Sequence, residues 1–382
     1  MSRTGGAGAA TGRRRPEVRA DLALMEGYHS AQVDVAVRLN TNESPFPPPA
    51  GFGAEVAALL AETAWHRYPD RSAAALRQGI AELHGVSAAQ VFAANGSNEV
   101  LQTLLLAYAG AGRTVATFEP TYALHAHIAR LTGATVRSGE RAEDFTLPPE
   151  EVGRVLDDEG PAVVFLCSPN NPTGTVEPME LVAPTLGRCA AEGRLLVVDE
   201  AYAQFSPWSA LDLVDEELPL VVVRTYSKTW SMAAARLGYC VAPTWVVDEL
   251  HKVALPYHLD VVKQAAGLAA LGHADEMGRR VAAIVEERGR VLDGLLELGV
   301  RTWPSGANFV LFRPEVPEGA EGHGVWQGLV ERSVLVRDCS SWPRLEGCLR
   351  VTIGTATEND AFLGALAEVL EDRGARRREE RR

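Results

Sequence analysis

No stretch of the 382 residues approaches the roughly 18 consecutive apolar positions of a membrane-spanning helix, so the chain does not read as a helical membrane protein. Cysteine is scarce. The five, at 167, 189, 240, 339 and 348, form no C-x-x-C pair and have no histidine at ligand spacing, which excludes a zinc ribbon or a disulfide scaffold. They read as reduced packing residues of a cytoplasmic protein. Positive charge is also short: 37 Lys and Arg face 50 Asp and Glu, and the net charge of −13 argues against nucleic acid or an anionic membrane as partner. An anionic small molecule in a locally basic pocket stays open. Arg13, Arg14 and Arg15 precede no apolar run, so no secretory signal is expected. Hydrophobic residues at 46% and charged residues at 23% place the chain among soluble globular proteins rather than disordered ones.

What is present is an alternation of short apolar runs with helical stretches, the pattern of βα units around a mainly parallel sheet. Strands are expected at Val163 to Cys167, Leu195 to Val198, Val221 to Arg224 and Leu237 to Ala242. The first three run straight into polar clusters, and in open α/β sheets the ligand crevice lies outside the carboxyl ends of the strands. Residues 1–20 and 371–382 read as a disordered tail and a charged tail. Residues 21–50 read as an N-terminal strap, extended through the four prolines of Asn40 to Pro49. A large domain is expected over 51–285 and a smaller α+β domain over 286–370. The small domain would carry a helix from Glu286 to Leu298, a strand from Trp303 to Phe312 and a strand pair around Val334 and Val351.

Four segments carry chemistry. In RTYSKTWSMAAARLGY, Arg224 to Tyr239, Lys228 sits among Thr225, Ser227 and Arg236. Hydroxyls and a guanidinium suit a phosphate, and a desolvated lysine near positive charge suits Schiff-base chemistry. In LLVVDEAYAQF, Asp199 ends an apolar strand with Tyr202 three residues on. A buried carboxylate is costly without a partner such as a protonated ring nitrogen, although a helix cap at that strand end reads equally well. CSPNNPTG, Cys167 to Gly174, is a turn whose Asn171 either donates to a ligand or caps its own loop. In AANGSNEVLQTLL, Gly96, Ser97 and Asn98 open a helix, whose first amides attract an anion.

Taken together with LNTNESP (Leu39 to Pro45), HRYPD (His66 to Asp70), NGSNE, EPTY (Glu119 to Tyr122) and LRVTIG (Leu349 to Gly354), these segments resemble the fold-type I pyridoxal-phosphate aminotransferases. Within them the chain is similar to the class II branch that contains the histidinol-phosphate aminotransferases, over about residues 21 to 370. The resemblance implies an α/β fold with a seven-stranded, mainly parallel large-domain sheet flanked by helices. It implies pyridoxal 5'-phosphate as cofactor, with Lys228 as its Schiff-base lysine and as the acid/base that moves the substrate proton. Asp199 would pair with the pyridine nitrogen, Asn171 and Tyr202 with the phenolic oxygen. Tyr122 would lie against the ring, while Gly96, Ser97, Asn98, Thr225, Ser227 and Arg236 hold the phosphate. Arg350 and Arg337 match arginines that grip anionic substrates, and Tyr28 and Asn42 match positions near the substrate.

Tyr68 matches a residue that reaches into the neighbouring subunit's site, which implies a homodimer with shared active sites. The reaction implied is transamination between L-histidinol phosphate and 2-oxoglutarate, with glutamate as donor in the biosynthetic direction of histidine formation. An aromatic aminotransferase and a phosphoamino-acid decarboxylase share the same cofactor motifs, and a non-catalytic cofactor-binding regulator is a reading from another class. Bulky Trp230 beside Lys228 and Trp342 beside Arg337 depart from the relatives' pattern and are expected to shape the pocket.

Overall fold

In a computed structural model, residues 16–19, 22, 33–157, 160–314 and 322–380 are described, with side chains to Arg373. The chain forms two compact units, Met1–Gln32 and Val33–Arg382; in the first, the Leu22 amide donates to the Arg19 carbonyl at 3.0 Å. The second carries two sheets. Its strands in chain order are β1 (Val37–Leu39), β2 (Val91–Ala94), β3 (Thr114–Glu119), β4 (Thr135–Glu140), β5 (Val163–Cys167), β6 (Leu195–Asp199), β7 (Leu220–Thr225), β8 (Gly238–Val241), β9 (Arg301–Thr302), β10 (Phe309–Arg313), β11 (Val334–Asp338) and β12 (Leu349–Thr352).

The seven-stranded sheet has the order β2-β8-β7-β6-β5-β3-β4. Strands β4, β3, β5, β6 and β7 run parallel, whereas β8 is antiparallel to both β7 and β2. Strands β5, β6 and β7 are buried on both faces, which explains why they read as unbroken apolar runs. Alternate residues of β5 enter different core layers. Val163 and Phe165 pack with Val100, Leu104 and Ile128 on one side, while Val164 and Leu166 pack with Val152, Val182 and Leu186 on the other.

A five-stranded sheet, β1-β11-β12-β10-β9, covers the second core, with β1 parallel to β11 and the remaining pairs antiparallel. Three helices, Ala274–Glu297, Gly322–Glu331 and Ala356–Glu380, pack on it through Ile284, Val291, Leu295, Val325, Leu329, Phe362 and Leu366. Tyr202 and Phe205, just beyond β6, are buried in this same core, so the segment leaving the large sheet is anchored in the small one.

Three expectations need correction. The helix expected from Glu286 starts at Ala274, because Met277 and Ile284 continue the buried stripe of Val291 and Leu295 at intervals of seven, seven and four residues behind a charged exterior. The strand expected over Trp303 to Phe312 begins only at Phe309. Pro304 and Gly306 break it, and the Gly306 amide donates instead to the Gly174 carbonyl at 2.8 Å. The charged end is helical through Glu380, since Arg and Glu are good helix formers that need no buried face to continue a turn already nucleated.

Candidate active site

The parallel register sets Cys167 beside Asp199 and Asp199 beside Val223, so β5, β6 and β7 deliver their polar clusters to one edge of the sheet. Beyond Cys167 the two asparagines have different fates. Asn170 is consumed by its own loop: its amide group donates to the Pro120 carbonyl (2.9 Å) and Thr173 Oγ1 (2.8 Å), and its oxygen accepts from Thr121 (2.8 Å). Asn171 points elsewhere, its Oδ1 accepting from Arg350 Nη1 and its NH2 remaining available as a donor.

Asp199 and Glu200 are adjacent carboxylates, both buried. Glu200 is neutralised by Arg224, whose Nε donates to it at 2.8 Å, and it also accepts from Ser209 (2.8 Å) and the Ala210 amide (2.6 Å). That is a structural ion pair. Asp199 has no Lys or Arg partner among the described residues. Its Oδ2 lies 2.8 Å from His125 Nε2, and its Oδ1 accepts the Ala201 amide at 3.2 Å. A fully buried charge held this way is a poor stabiliser and a good mate for a cationic ligand atom. His125 was not singled out by the sequence. It is stacked on Phe165 at 4.5 Å, and its only signal is a place three residues after Tyr122, on the buried face of the helix Leu124–Leu131.

Lys228, half-buried, donates to the Thr41 carbonyl at 3.0 Å and lies 5.7 Å from the centre of the Tyr202 ring. Burial, helped by the Arg350 and Arg236 charges, lowers its pKa to about 7 against the pull of Glu43. Tyr202 is pushed the other way, to about 12, mainly by burial, so it stays protonated; its hydroxyl accepts from Asn42 Nδ2 at 3.0 Å. Thr41 is a second residue the motifs did not single out, because it acts through its carbonyl.

A phosphate cradle forms where the helix Ser97–Tyr108 meets β8. Gly96 caps that helix at φ 82 with no side-chain cap, leaving first-turn amides for an anion. Arg236, itself at φ 53, brings Nη1 to 3.2 Å from Ser227 Oγ, and Ser227 accepts from Thr225 at 3.1 Å. Glycine is required at two contacts: a Cβ on Gly96 would lie 2.9 Å from Arg236 Nη2, and one on Gly238 would lie 2.3 Å from the Ser97 amide nitrogen. Tyr122 donates to Asn98 Oδ1 at 3.1 Å and meets the His125 ring edge-on at 5.4 Å, which joins the cradle to Asp199.

On the opposite side, Arg350 is buried against the Phe309 ring at 5.0 Å and donates to the Asn40 carbonyl at 3.1 Å. Its Nε has no hydrogen-bond partner among the described residues. Asn42, buried at φ 55, also receives a hydrogen bond from Thr352 at 3.1 Å and donates its amide to Thr352 Oγ1 at 2.9 Å. Arg337 lies opposite Arg350 across β11 and β12, its guanidinium 5.5 Å from the Trp342 ring. Tyr68 is not in this assembly of side chains; it is 79% exposed and stacked on Tyr257 at 4.4 Å. Tyr28 lies outside the described residues. The Trp230 indole is buried in the core with Tyr226, Leu76 and Met232, and the chain turns directly after it, at Ser231 with φ 53.

These groups fit pyridoxal phosphate on the chemistry of the donor set alone. A phosphate cradle, a buried carboxylate with no Lys or Arg partner among the described residues, two phenolate donors in Asn171 and Tyr202, and an amine of depressed pKa match the cofactor's four functional points.

Residues 34–366 match the family model described as Aminotransferase class I and II. The chain is 47% identical over 365 residues to a histidinol-phosphate aminotransferase of Frankia casuarinae, an alignment covering 92% of this chain and 90% of that one. With a histidinol-phosphate aminotransferase of Corynebacterium diphtheriae it shares 42% over 93% of this chain and 96% of the relative. Among solved structures, a putative histidinol-phosphate aminotransferase from Erwinia carotovora atroseptica superposes with a TM-score of 0.80 at 25% identity, covering 88% of this chain and 96% of that one.

Proposed function

The chain belongs to the aminotransferase class I and II family, and on that premise we propose that it transfers an amino group between L-histidinol phosphate and 2-oxoglutarate, the histidine-biosynthetic exchange named by its relatives. It is an aminotransferase and uses pyridoxal phosphate. One observation carries the site assignment: Asp199, a buried carboxylate with His125 but no Lys or Arg as partner among the described residues, ends the strand that lies between those leading to Asn171 and to Lys228.

Bound there, pyridoxal phosphate supplies a ring that takes up the electron pair left when a proton departs from the amine-bearing carbon of the substrate. Asp199 holds a proton on the ring nitrogen, with His125 fixing the carboxylate. Asn171 and Tyr202 donate to the phenolic oxygen. Each has its acceptor already occupied, by Arg350 and by Asn42 respectively, so each is oriented as a donor. Ser97, Asn98, Thr225, Ser227 and Arg236 hold the phosphate at the helix start beside Gly96, and Tyr122 packs on the ring face. Lys228 Nζ, neutral in good part at pH 7, is placed to take the proton from the amine-bearing carbon of the substrate and would deliver it to the cofactor's aldehyde carbon, so that the amino group stays with the cofactor. Arg350 and Arg337 grip the anionic ends of the two substrates in turn, with Asn42 beside Arg350 through its neighbour Thr352.

The protein works as a cytoplasmic homodimer on this reading. Tyr68, Trp65 and Leu255, exposed at 79%, 66% and 76%, support a face for a second copy whose site Tyr68 would enter. Among the described residues no helix is long and apolar enough to cross a membrane.

The test is product analysis with purified holoenzyme, L-histidinol phosphate and 2-oxoglutarate. Glutamate is expected in one-to-one yield with consumed donor, and double-reciprocal plots at several 2-oxoglutarate concentrations should be parallel. No glutamate from this pair would refute the reading.

A further inference from the structure

Arg337 and Arg350 are directly opposed in the antiparallel register of β11 and β12, an arrangement that like charges disfavour. Arg350 is fixed by burial and by its hydrogen bonds to Asn171 and Asn40. The half-buried Arg337 is held by something different, the face of the Trp342 indole 5.5 Å from its guanidinium carbon.

That indole stands on a rigid platform. Residues 339–348 are closed by backbone hydrogen bonds from Cys339 to Cys348 (3.1 Å), Trp342 to Cys339 (2.9 Å), Leu345 to Trp342 (3.1 Å) and Cys348 to Leu345 (2.8 Å). Beneath them Cys339, Leu345 and Cys348 are buried with Phe145, Trp303 and Leu311, and Trp342 packs against this cluster. Arg344 ties the same loop to the large-sheet side by donating to the Arg141 carbonyl. Stacking uses the flat face of a guanidinium and not the N–H edge that grips an oxyanion in bidentate fashion.

We propose that Trp342 is a positioning residue that aims Arg337 at the phosphate of the substrate, so that it sets affinity for phosphate-bearing substrates without touching the reacting atoms. This rests on the reading that Arg337 binds that group. The departure at Trp342 thereby acquires a role: the aromatic face offsets the repulsion from Arg350 and leaves two cations on one strand pair, one buried and one half-buried.

The test compares holoenzyme carrying Trp342→Leu, Trp342→Phe, Arg337→Gln and the double change Trp342→Leu/Arg337→Gln, with L-histidinol phosphate as varied substrate. Trp342→Leu should raise KM roughly fivefold, the size of a partly exposed cation–π contact, with kcat within about twofold. Trp342→Phe, which keeps an aromatic face, should recover most of the affinity. The double variant should be no weaker than Arg337→Gln alone. Should the leucine variant fail to retain cofactor, Trp342→Met serves as the second side chain without a π face. A raised KM in Arg337→Gln beside an unchanged KM in Trp342→Leu would overturn the proposal alone, as would equal losses in the leucine and phenylalanine variants. An unchanged KM in Arg337→Gln would overturn the reading beneath it.

Discussion

Replacing Lys228 with alanine is expected to lower kcat by about a thousandfold or more, the upper part of what a positioned acid/base contributes, and to remove the visible absorbance of lysine-linked cofactor. The amine lies 5.7 Å from the centre of the Tyr202 ring, and its environment prepares it to carry a proton. Burial comes first and Arg350 second in lowering its pKa to about 7. A lowered pKa means that the cationic form is lost as pH rises through about 7 instead of above 10. Labelling of Lys228 by an acylating reagent in cofactor-free protein should therefore rise with a midpoint near that value. A midpoint near 10, or substantial turnover by the alanine variant, would contradict the assignment.

Asp199→Asn should be nearly as damaging to rate, by about a hundredfold to a thousandfold, because it removes a preorganised charge from a water-excluded site. Its effect on stability should be small. Among the described residues the buried carboxylate has His125 but no Lys or Arg as partner, so a neutral isostere relieves about as much desolvation as it sacrifices interaction. Glu200→Gln next door should show the opposite profile. It strands the buried Arg224 guanidinium and is expected to cost about 3–5 kcal/mol of stability while cofactor chemistry in the surviving folded protein continues. Rate and melting temperature measured on both variants separate the two roles. Similar profiles for the two would show that Asp199 is a second structural acid.

This contrast shows where sequence reading reaches its limit. Four apolar residues ending in an acid placed β6 and its carboxyl end, and continuous apolar runs placed β5 and β7, since a strand buried on both faces leaves an unmistakable signature. Nothing in DEAY says which acid is paired. That depends on Arg224, which side-chain alternation along the adjacent strand turns toward Glu200 and away from Asp199. His125 was invisible for a similar reason, because its partner lies 74 positions away. Thr41 contributes only a carbonyl, which every residue possesses. For Trp230, nearness to Lys228 in sequence does not reveal that its indole packs with Tyr226 and Met232 in the core, a contact set by residues as distant as Leu76. The β10 boundary failed at Gly306, whose close docking on Gly174 is a long-range contact that no local pattern announces.

The most direct test of the account is a single-turnover absorbance experiment on the holoenzyme without keto acid, comparing L-histidinol phosphate with L-phenylalanine as amino donor. The account predicts rapid conversion of the bound cofactor to its aminated form by histidinol phosphate and slow or no conversion by phenylalanine. Rapid conversion by phenylalanine with none by histidinol phosphate would contradict it.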